Sequence, residues 1–268
     1  MIQDKQTGLM YRLWDCPAAG AVMLLVHGLG AHSARWEAFS AYLLKNNIAA
    51  YAPELRGFGE TPGLRGHIDS FERYYADIRA LSALIRKDHP GKKVFLLGES
   101  LGGLITFLTA ISAPELFAGL ICIAPAFKSR LKFSPGEYIR IFVSLCYNPR
   151  RQFIIPSNVQ MCTRDTSYQT EIERDTREHH LGTSRLLFNT LIAQIQAGYL
   201  KGRLRIPTLF LIAGQDLLVD SPTSLKFFQG LKVQDKTIIQ YPDMYHALSI
   251  DLDKEKVFQD ILAWVQAR

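Results

Sequence analysis

The sequence predicts an α/β fold with a mostly parallel central sheet, helices on both faces and a helical cap insert. Continuous apolar runs alternate with helical stripes, which is typical of a parallel sheet covered on both faces. This alternation stops between 127 and 201, where we expect helices and loops without clear strands. A Gly-x-Ser-x-Gly sequence at 98–102 joins an apolar run to a helix-compatible stretch, which indicates a sharp strand-to-helix turn.

The elements before that turn are predicted from hydrophobic periodicity. Residues 10–14 alternate between polar and apolar and predict an early edge strand. The apolar run 21–26 predicts a strand that is buried on both faces. Stripes at helical spacing predict helices over 36–46 and 71–87, and an apolar run between them predicts a strand over 48–52.

The elements from the turn onward follow the same pattern. Apolar runs predict strands over 94–97 and 119–124. Two further strands are predicted over 208–213 and 236–241, each next to a proline. A helical stripe over 257–266 predicts a closing helix.

The interruption divides the chain into a predicted core, 1–126 and 202–268, and a predicted cap, 127–201. A chain of 268 residues is long enough for one large domain with such an insert. Because the insert follows the Gly-x-Ser-x-Gly turn, we expect it to lie over the site as a lid.

Composition excludes several classes of protein. The net charge of +6 comes without the dense basic stripe of a nucleic-acid-binding protein, so no nucleic-acid partner is expected. A mildly basic surface is the favoured interpretation, and attraction to anionic membranes is the alternative. No apolar run reaches the ~18 residues of a membrane span, and the first residues lack a signal peptide, so we expect a cytoplasmic protein. The oligomeric state is left open.

The four cysteines are widely spaced and form no Cys-x-x-Cys pair. This spacing argues against a disulfide framework and against a zinc site. We expect buried free thiols in a reducing compartment.

Ser100 is the candidate nucleophile, in the sequence Gly-Glu-Ser-Leu-Gly. Glycines on both sides keep the crowded positions of a sharp turn small, so the hydroxyl would stand exposed above the sheet. The alternative is a glycine-rich turn with an uninvolved serine. The predicted strand and helix on its two sides make that interpretation the weaker one.

A nucleophilic serine needs a base, and the base needs an orienting acid. Asp216 directly follows the predicted strand 208–213, and His246 lies in the loop after the last strand. The chain order serine, acid, histidine is the order used on this kind of sheet. Asp220 is the competing acid, but its place before Ser221 and a proline favours a helix cap.

Two backbone N–H groups are candidates for binding an oxyanion. Leu101 directly follows the candidate nucleophile, and Leu29 lies in the glycine-rich loop after the predicted strand 21–26. His27, at the start of that loop, is expected to hold the loop by hydrogen bonds without transferring a proton.

Several motifs resemble one family: the stretches 27–33, 55–63 and 65–71, the turns at 98–103 and 213–216, and the loop at 245–246. At these residues the chain resembles the monoacylglycerol lipase and lysophospholipase branch of the α/β-hydrolase superfamily, also called serine aminopeptidase-like. The resemblance covers most of the chain, and 65–71 is its most particular stretch. The chain departs from the branch at Glu54, where Asp is common, and at Leu101, where Met is frequent. After His246 it lacks the acidic residues often seen there.

The resemblance implies the α/β-hydrolase fold and a serine carboxylic ester hydrolase, with Ser100 as nucleophile, Asp216 as acid and His246 as base. Leu29 and Leu101 are then the oxyanion donors. The implied substrates are monoacylglycerols, lysophospholipids or short-to-medium acyl esters, cleaved through an acyl-enzyme without metal or organic cofactor. An amidase, thioesterase or acyltransferase with the same triad is the alternative. A ligand-binding protein without turnover is disfavoured, because all three triad residues are present.

Residues 138–147 of the insert are apolar nearly all round, with Arg140 and Ser144 as a thin polar stripe. We expect a cap helix whose Ile141 and Phe142 line an acyl pocket, since such stripes are most often buried. Basic residues flank the stretch, and the alternative is a helix that rests on an anionic bilayer.

Overall fold

A computed structural model describes residues 1–4 and 7–268 of the chain. The strands of these residues are β1 (Ile2–Gln3), β2 (Met10–Trp14), β3 (Ala21–Val26), β4 (Ile48–Pro53), β5 (Lys93–Glu99), β6 (Gly119–Ile123), β7 (Gln152–Ile154), β8 (Leu181–Thr183), β9 (Thr208–Ala213) and β10 (Lys236–Tyr241). The α-helices are α1 (Glu37–Lys45), α2 (Glu72–Asp88), α3 (Leu101–Ser112), α4 (Pro135–Tyr147), α5 (Thr166–Arg174), α6 (Ser184–Leu200), α7 (Ser221–Gln229) and α8 (Lys254–Gln266).

The central sheet confirms the predicted α/β architecture. Its strand order is β1-β2-β4-β3-β5-β6-β9-β10. The five pairs from β4 to β10 are parallel, whereas the pairs β1–β2 and β2–β4 are antiparallel. The pairing of β3 with β5 runs in register to Val26↔Gly98, so the loop after β3 and the turn at Ser100 lie at the same edge of the sheet.

Alternate side chains of the central strands enter two separate hydrophobic layers. Val22 and Leu24 of β3 pack in the layer that holds the buried faces of α2 and α3. Met23 and Leu25 of the same strand pack in the layer of α1 and α8. Helices therefore cover both faces, as the continuous apolar strands predict.

The predicted strands and helices of the core are confirmed, with small shifts at their ends. The prediction that β2 is an edge strand is wrong, because β1 pairs with its outer side and β4 with its inner side. Four of the five residues of β2 remain partly exposed, which explains the alternating pattern that suggested an edge.

The insert contains α4, α5 and α6, together with a small antiparallel sheet of β7 and β8. The expectation of an insert without strands is therefore wrong, since each of these strands has only three residues and shows no readable periodicity. The helix α6 packs on α3 of the core. The division at 127 and 201 stays a prediction.

The structure tests two expectations from composition, the burial of the cysteines and the lack of a membrane span. Of the four cysteines, Cys122 is buried and Cys146 is exposed, while Cys16 and Cys162 are half-buried, so the expectation of buried thiols holds for Cys122 only. Among the described residues, every helix is too short or too polar to cross a membrane.

Candidate active site

Ser100 sits on a strained turn between β5 and α3, with φ 57° and ψ −119°. Its backbone N–H donates to the carbonyl of Ile123 at 2.9 Å, which ties the turn to β6. A Cβ added at Gly98 would lie 2.3 Å from the carbonyl oxygen of Gly102, and one at Gly102 would lie 2.2 Å from that of Val26. Larger residues are excluded, and the surrounding structure holds the serine in a backbone conformation that L-residues avoid.

Asp216 and His246 meet at this edge of the sheet, and both are buried. The Nδ1 of His246 lies 2.8 Å from Oδ2 of Asp216. The other oxygen, Oδ1, accepts the N–H groups of Leu218 and Val219, each at 2.8 Å. Because Asp216 holds Nδ1–H as a donor, Nε2 of His246 is left to accept a proton.

Burial lowers the pKa of His246, but the charge and hydrogen bond of Asp216, with a further contribution from Glu99, outweigh it. The net effect raises the pKa above its ordinary value of 6.5. The charged imidazolium is therefore stabilised at this position, which suits a group that must take up a proton during a reaction.

Ser100 and His246 line one cavity. The hydrogen bonds among the described residues include none between them. In enzymes without substrate such bonds are often long and tighten only when substrate binds. The structure thus brings Ser100, Asp216 and His246 to one place, with the acid–base contact already formed.

Asp220 has the role of a helix cap, as predicted. Its carboxylate accepts the N–H of Thr223 at 2.9 Å, and the helix α7 begins at Ser221 with a proline in its first turn. Asp216 therefore contacts His246, whereas Asp220, four residues later, caps a helix.

The candidate oxyanion donors Leu29 and Leu101 both line the cavity beside Ser100. Leu101 is the first residue of α3, so its N–H has no carbonyl partner within the helix. The N-terminal end of a helix also favours negative charge. Both features suit a developing oxyanion next to Ser100.

His27 holds the loop that carries Leu29. Its Nε2 accepts the N–H of Leu55 at 3.0 Å, so Nδ1 is the donor to the carbonyl of Gly28 at 2.8 Å. Burial lowers the pKa of His27 to about 4. The ring is therefore neutral and acts as a fixed support, which agrees with the predicted role.

The cavity has a volume of about 400 Å³ and a mainly apolar wall. Ile141 and Phe142 of α4 both line it. Ile141 is 9% exposed, whereas Phe142 is 68% exposed and lies at the rim. A cavity of this size and polarity fits an acyl chain.

The prediction that Ser144 belongs to a polar stripe on α4 is wrong. This residue is fully buried, and its hydroxyl donates to the carbonyl of Ile141 at 2.9 Å, so its polarity is satisfied inside the helix. The outer face of α4 is instead apolar: its exposed side chains include Tyr138, Ile139, Phe142, Val143 and Tyr147. The favoured interpretation, a helix buried over a pocket, therefore describes only one side of α4.

Sequence reasoning missed the charged residues around the site. Arg35 and Glu178 line the cavity and are joined by a hydrogen bond of 2.7 Å, although 143 residues separate them. Glu99 also lines the cavity and contacts the loop of His246. Of these, only Glu99 has a sequence signal, namely its place next to Ser100.

The cap also contacts the His246 loop directly. The N–H of Ala247 donates to the carbonyl of Cys162 at 2.8 Å. Asp251, which is fully buried, accepts the Tyr245 N–H at 2.9 Å and the Arg164 side chain at 2.9 Å. The position of the candidate base therefore depends on the cap as well as on the core.

Comparison with known proteins shows which family the chain belongs to. The family model described as "Serine aminopeptidase, S33" matches residues 17–253. Human monoglyceride lipase is 29% identical over 274 residues, which cover 97% of this chain and 87% of that protein.

Two solved structures share the fold. The monoacylglycerol lipase of Paleococcus ferrophilus superposes with a TM-score of 0.87 at 26% identity, covering 96% of this chain and 97% of that one. A soluble variant of the Saccharomyces cerevisiae monoglyceride lipase, in complex with a substrate analog, superposes with a TM-score of 0.84 at 20% identity. The match covers 95% of this chain and 90% of that one. The chain therefore belongs to the serine aminopeptidase S33 family, in the monoacylglycerol lipase branch of the α/β-hydrolases, and is a serine hydrolase of the lipase and esterase type.

Proposed function

We propose that this protein hydrolyses monoacylglycerols and related lipid acyl esters with Ser100, His246 and Asp216 as its catalytic triad. The observation that carries the proposal is the apolar cavity of about 400 Å³, which opens onto Ser100 and His246. The apolar wall accepts an acyl chain. Arg35 and Glu178, on the same cavity, offer polar groups for the alcohol part of the ester.

In the proposed reaction, Nε2 of His246 takes the proton of Ser100 as Oγ attacks the ester carbonyl. Asp216 stabilises the resulting imidazolium, and the N–H groups of Leu29 and Leu101 bind the oxyanion. His246 then gives the proton to the leaving alcohol, which leaves an acyl-enzyme on Ser100. Water, activated by His246, cleaves this ester and releases the fatty acid.

The substrate is tested with p-nitrophenyl esters from acetate to palmitate, beside monoacylglycerol and lysophosphatidylcholine, with Ser100→Ala as control. We expect turnover that peaks at one chain length, includes monoacylglycerol and disappears in the variant. Turnover of the phospholipid alone would change the substrate class. Absence of turnover in folded protein would redirect the search to amides and thioesters, or to binding without catalysis.

We also propose that the outer face of α4 contacts the lipid surface from which the substrate is taken. Tyr138 and Phe142 are exposed and line the cavity, so this face lies at its mouth. Arg140 on the same helix and Arg151 after it add positive charge that favours anionic lipids.

Membrane contact is tested with the double variant Ile139→Ser and Val143→Ser. Both side chains are exposed, at 65% and 48%, and the lining of the cavity does not include them. Binding to phosphatidylcholine–phosphatidylglycerol vesicles should fall, while hydrolysis of p-nitrophenyl butyrate stays unchanged. Leu64→Ser, at an exposed apolar residue of a core loop, is the control. Equal vesicle binding by all three proteins would refute the contact.

A further inference from the structure

One buried carboxylate at the site has no role in the reaction described above. Glu99 ends β5, directly before Ser100, and is 8% exposed. It lines the same cavity as Ser100 and His246. A buried carboxylate is costly unless it is paired, so its partners indicate what it does.

The partners of Glu99 lie in the loop of His246. Its Oε1 accepts the backbone N–H of Ser249 at 3.2 Å, and its Oε2 accepts the Ser249 hydroxyl at 2.9 Å. Ser249 stands three residues after His246, and 150 residues separate it from Glu99. Glu99 therefore joins the turn of the nucleophile to the loop of the base.

The charged and titratable groups around His246 come from several elements. Asp216 from the loop after β9 forms its hydrogen bond, Glu99 from β5 adds negative charge, and Arg35 after β3 adds positive charge. From the cap, the backbone carbonyl of Cys162 accepts the Ala247 N–H. Glu178 and His180 of the cap line the same cavity.

Burial raises the pKa of Glu99, whereas the charge of His246, the hydrogen bonds of Ser249 and the charge of Arg35 act in the opposite direction. Burial outweighs these contributions, so the pKa of Glu99 lies above its ordinary value; the Ser249 hydrogen bonds and the nearby positive charges offset part of the cost of its ionisation. A neutral glutamine would keep both contacts with Ser249, its amide oxygen accepting the backbone N–H and its amide nitrogen donating to the hydroxyl oxygen. The charge is what distinguishes glutamate at this position.

We propose that Glu99 is a positioning residue, which holds the His246 loop against the Ser100 turn and stabilises the charged imidazolium as a second carboxylate beside Asp216. This inference rests on the proposed function, because it assigns Glu99 a role through the catalytic base. Asp216 orients the ring by a direct hydrogen bond, and Glu99 acts on the ring through Ser249 and through its charge.

The test is the pH profile of kcat/KM for Glu99→Gln with a soluble p-nitrophenyl ester. In the wild-type protein, activity should fall with decreasing pH around a midpoint above 6.5, as His246 becomes protonated. Removal of the Glu99 charge lowers the pKa of His246. The acid limb should therefore move to lower pH by up to about one unit, a tenfold change in proton affinity, and kcat should fall.

Glu54→Gln is the matched control, because Glu54 is also buried and binds the N–H and hydroxyl of one serine, Ser33, at 3.1 and 2.6 Å. The acid limb of the kcat/KM pH profile of Glu54→Gln should stay at the wild-type pH. A merely structural Glu99 would lower the melting temperature and kcat without moving the limb, and that result would overturn the inference.

If Glu99→Gln does not fold, Ser249→Ala tests the same link from the other side. It should move the limb in the same direction by a smaller amount. Where turnover is too low, an NMR titration of His246 in a Ser100→Ala background measures the shift without activity. Loss of wild-type turnover and of Ser100 labelling would refute the proposed function, whereas an unmoved limb in an active enzyme refutes only the role of Glu99.

Discussion

At the scale of single residues, the loop that follows β9 fixes the geometry of Asp216. Two N–H groups of that loop occupy Oδ1 and leave Oδ2 for His246. The carboxylate is therefore fixed before any substrate arrives. The free energy needed to orient the imidazole is therefore supplied when the protein folds, and none of it has to be supplied during the reaction.

Asp216→Asn tests this arrangement. An amide oxygen still accepts the loop N–H groups, but the amide nitrogen facing His246 is a donor and favours the wrong tautomer of the ring. We expect kcat to fall about 10⁴-fold with little change in stability. Steady-state kinetics and thermal unfolding measure the two effects. A loss of less than tenfold would show that Asp216 does not orient the base.

The sequence predicts the residues of this site unequally. Ser100, Asp216 and His246 each follow a predicted strand, so a parallel sheet brings them to one edge. Arg35 and Glu178 follow no such rule, because their contact depends on how the cap folds back over the core. The role proposed for Glu99 depends in the same way on a contact across 150 residues.

At the scale of elements, the helix α4 has two different faces. Ile141 faces the cavity, Phe142 lies at the rim, and Ile139 and Val143 face outward. An apolar helix pattern predicts the helix, but it does not reveal which side is covered. The strands β7 and β8 were missed for a related reason, since three residues are too few to show a period of two.

Phe142→Ser tests the rim of the cavity on α4. A long acyl chain that packs on Phe142 buries part of this side chain, and full burial of a Phe contributes about 1.5–3 kcal/mol, so kcat/KM for palmitate and laurate esters should fall roughly tenfold. Hydrolysis of the acetate ester should stay unchanged. Val143→Ser, the exposed neighbour, is the control. Equal losses on long and short esters would contradict the lining role.

Arg164→Ala tests the contact between the cap and the His246 loop. The Arg164 side chain binds Asp251 and Asp253, each at 2.9 Å. Its removal leaves the buried Asp251 without a charged partner and should lower the free energy of unfolding by about 1–3 kcal/mol. We also expect a lower kcat, because the loop of His246 loosens.

Denaturant unfolding and kinetics on p-nitrophenyl butyrate measure the Arg164→Ala effects. Lys256→Ala, at an exposed residue of α8, serves as control. Unchanged kcat beside reduced stability would mean that the cap contact stabilises the protein without positioning the base.

At the scale of the whole molecule, the cavity belongs to both parts of the chain. Ser100 and Leu29 line it from the core, and Ile141 and Leu187 line it from the insert. The core could be predicted because each strand of a parallel sheet covered on both faces is a continuous apolar run in the sequence. The preferred acyl chain could not, because it depends on the volume that α4 and α6 leave above Ser100.

The most direct test of the central claim is the reaction of the folded protein with a fluorophosphonate, followed by peptide mass spectrometry. We predict one adduct, on Ser100, that is absent in Ser100→Ala and forms much more slowly in His246→Ala. An adduct on another residue, or no adduct on folded wild-type protein, would contradict the claim that Ser100 is a nucleophile activated by His246 and Asp216.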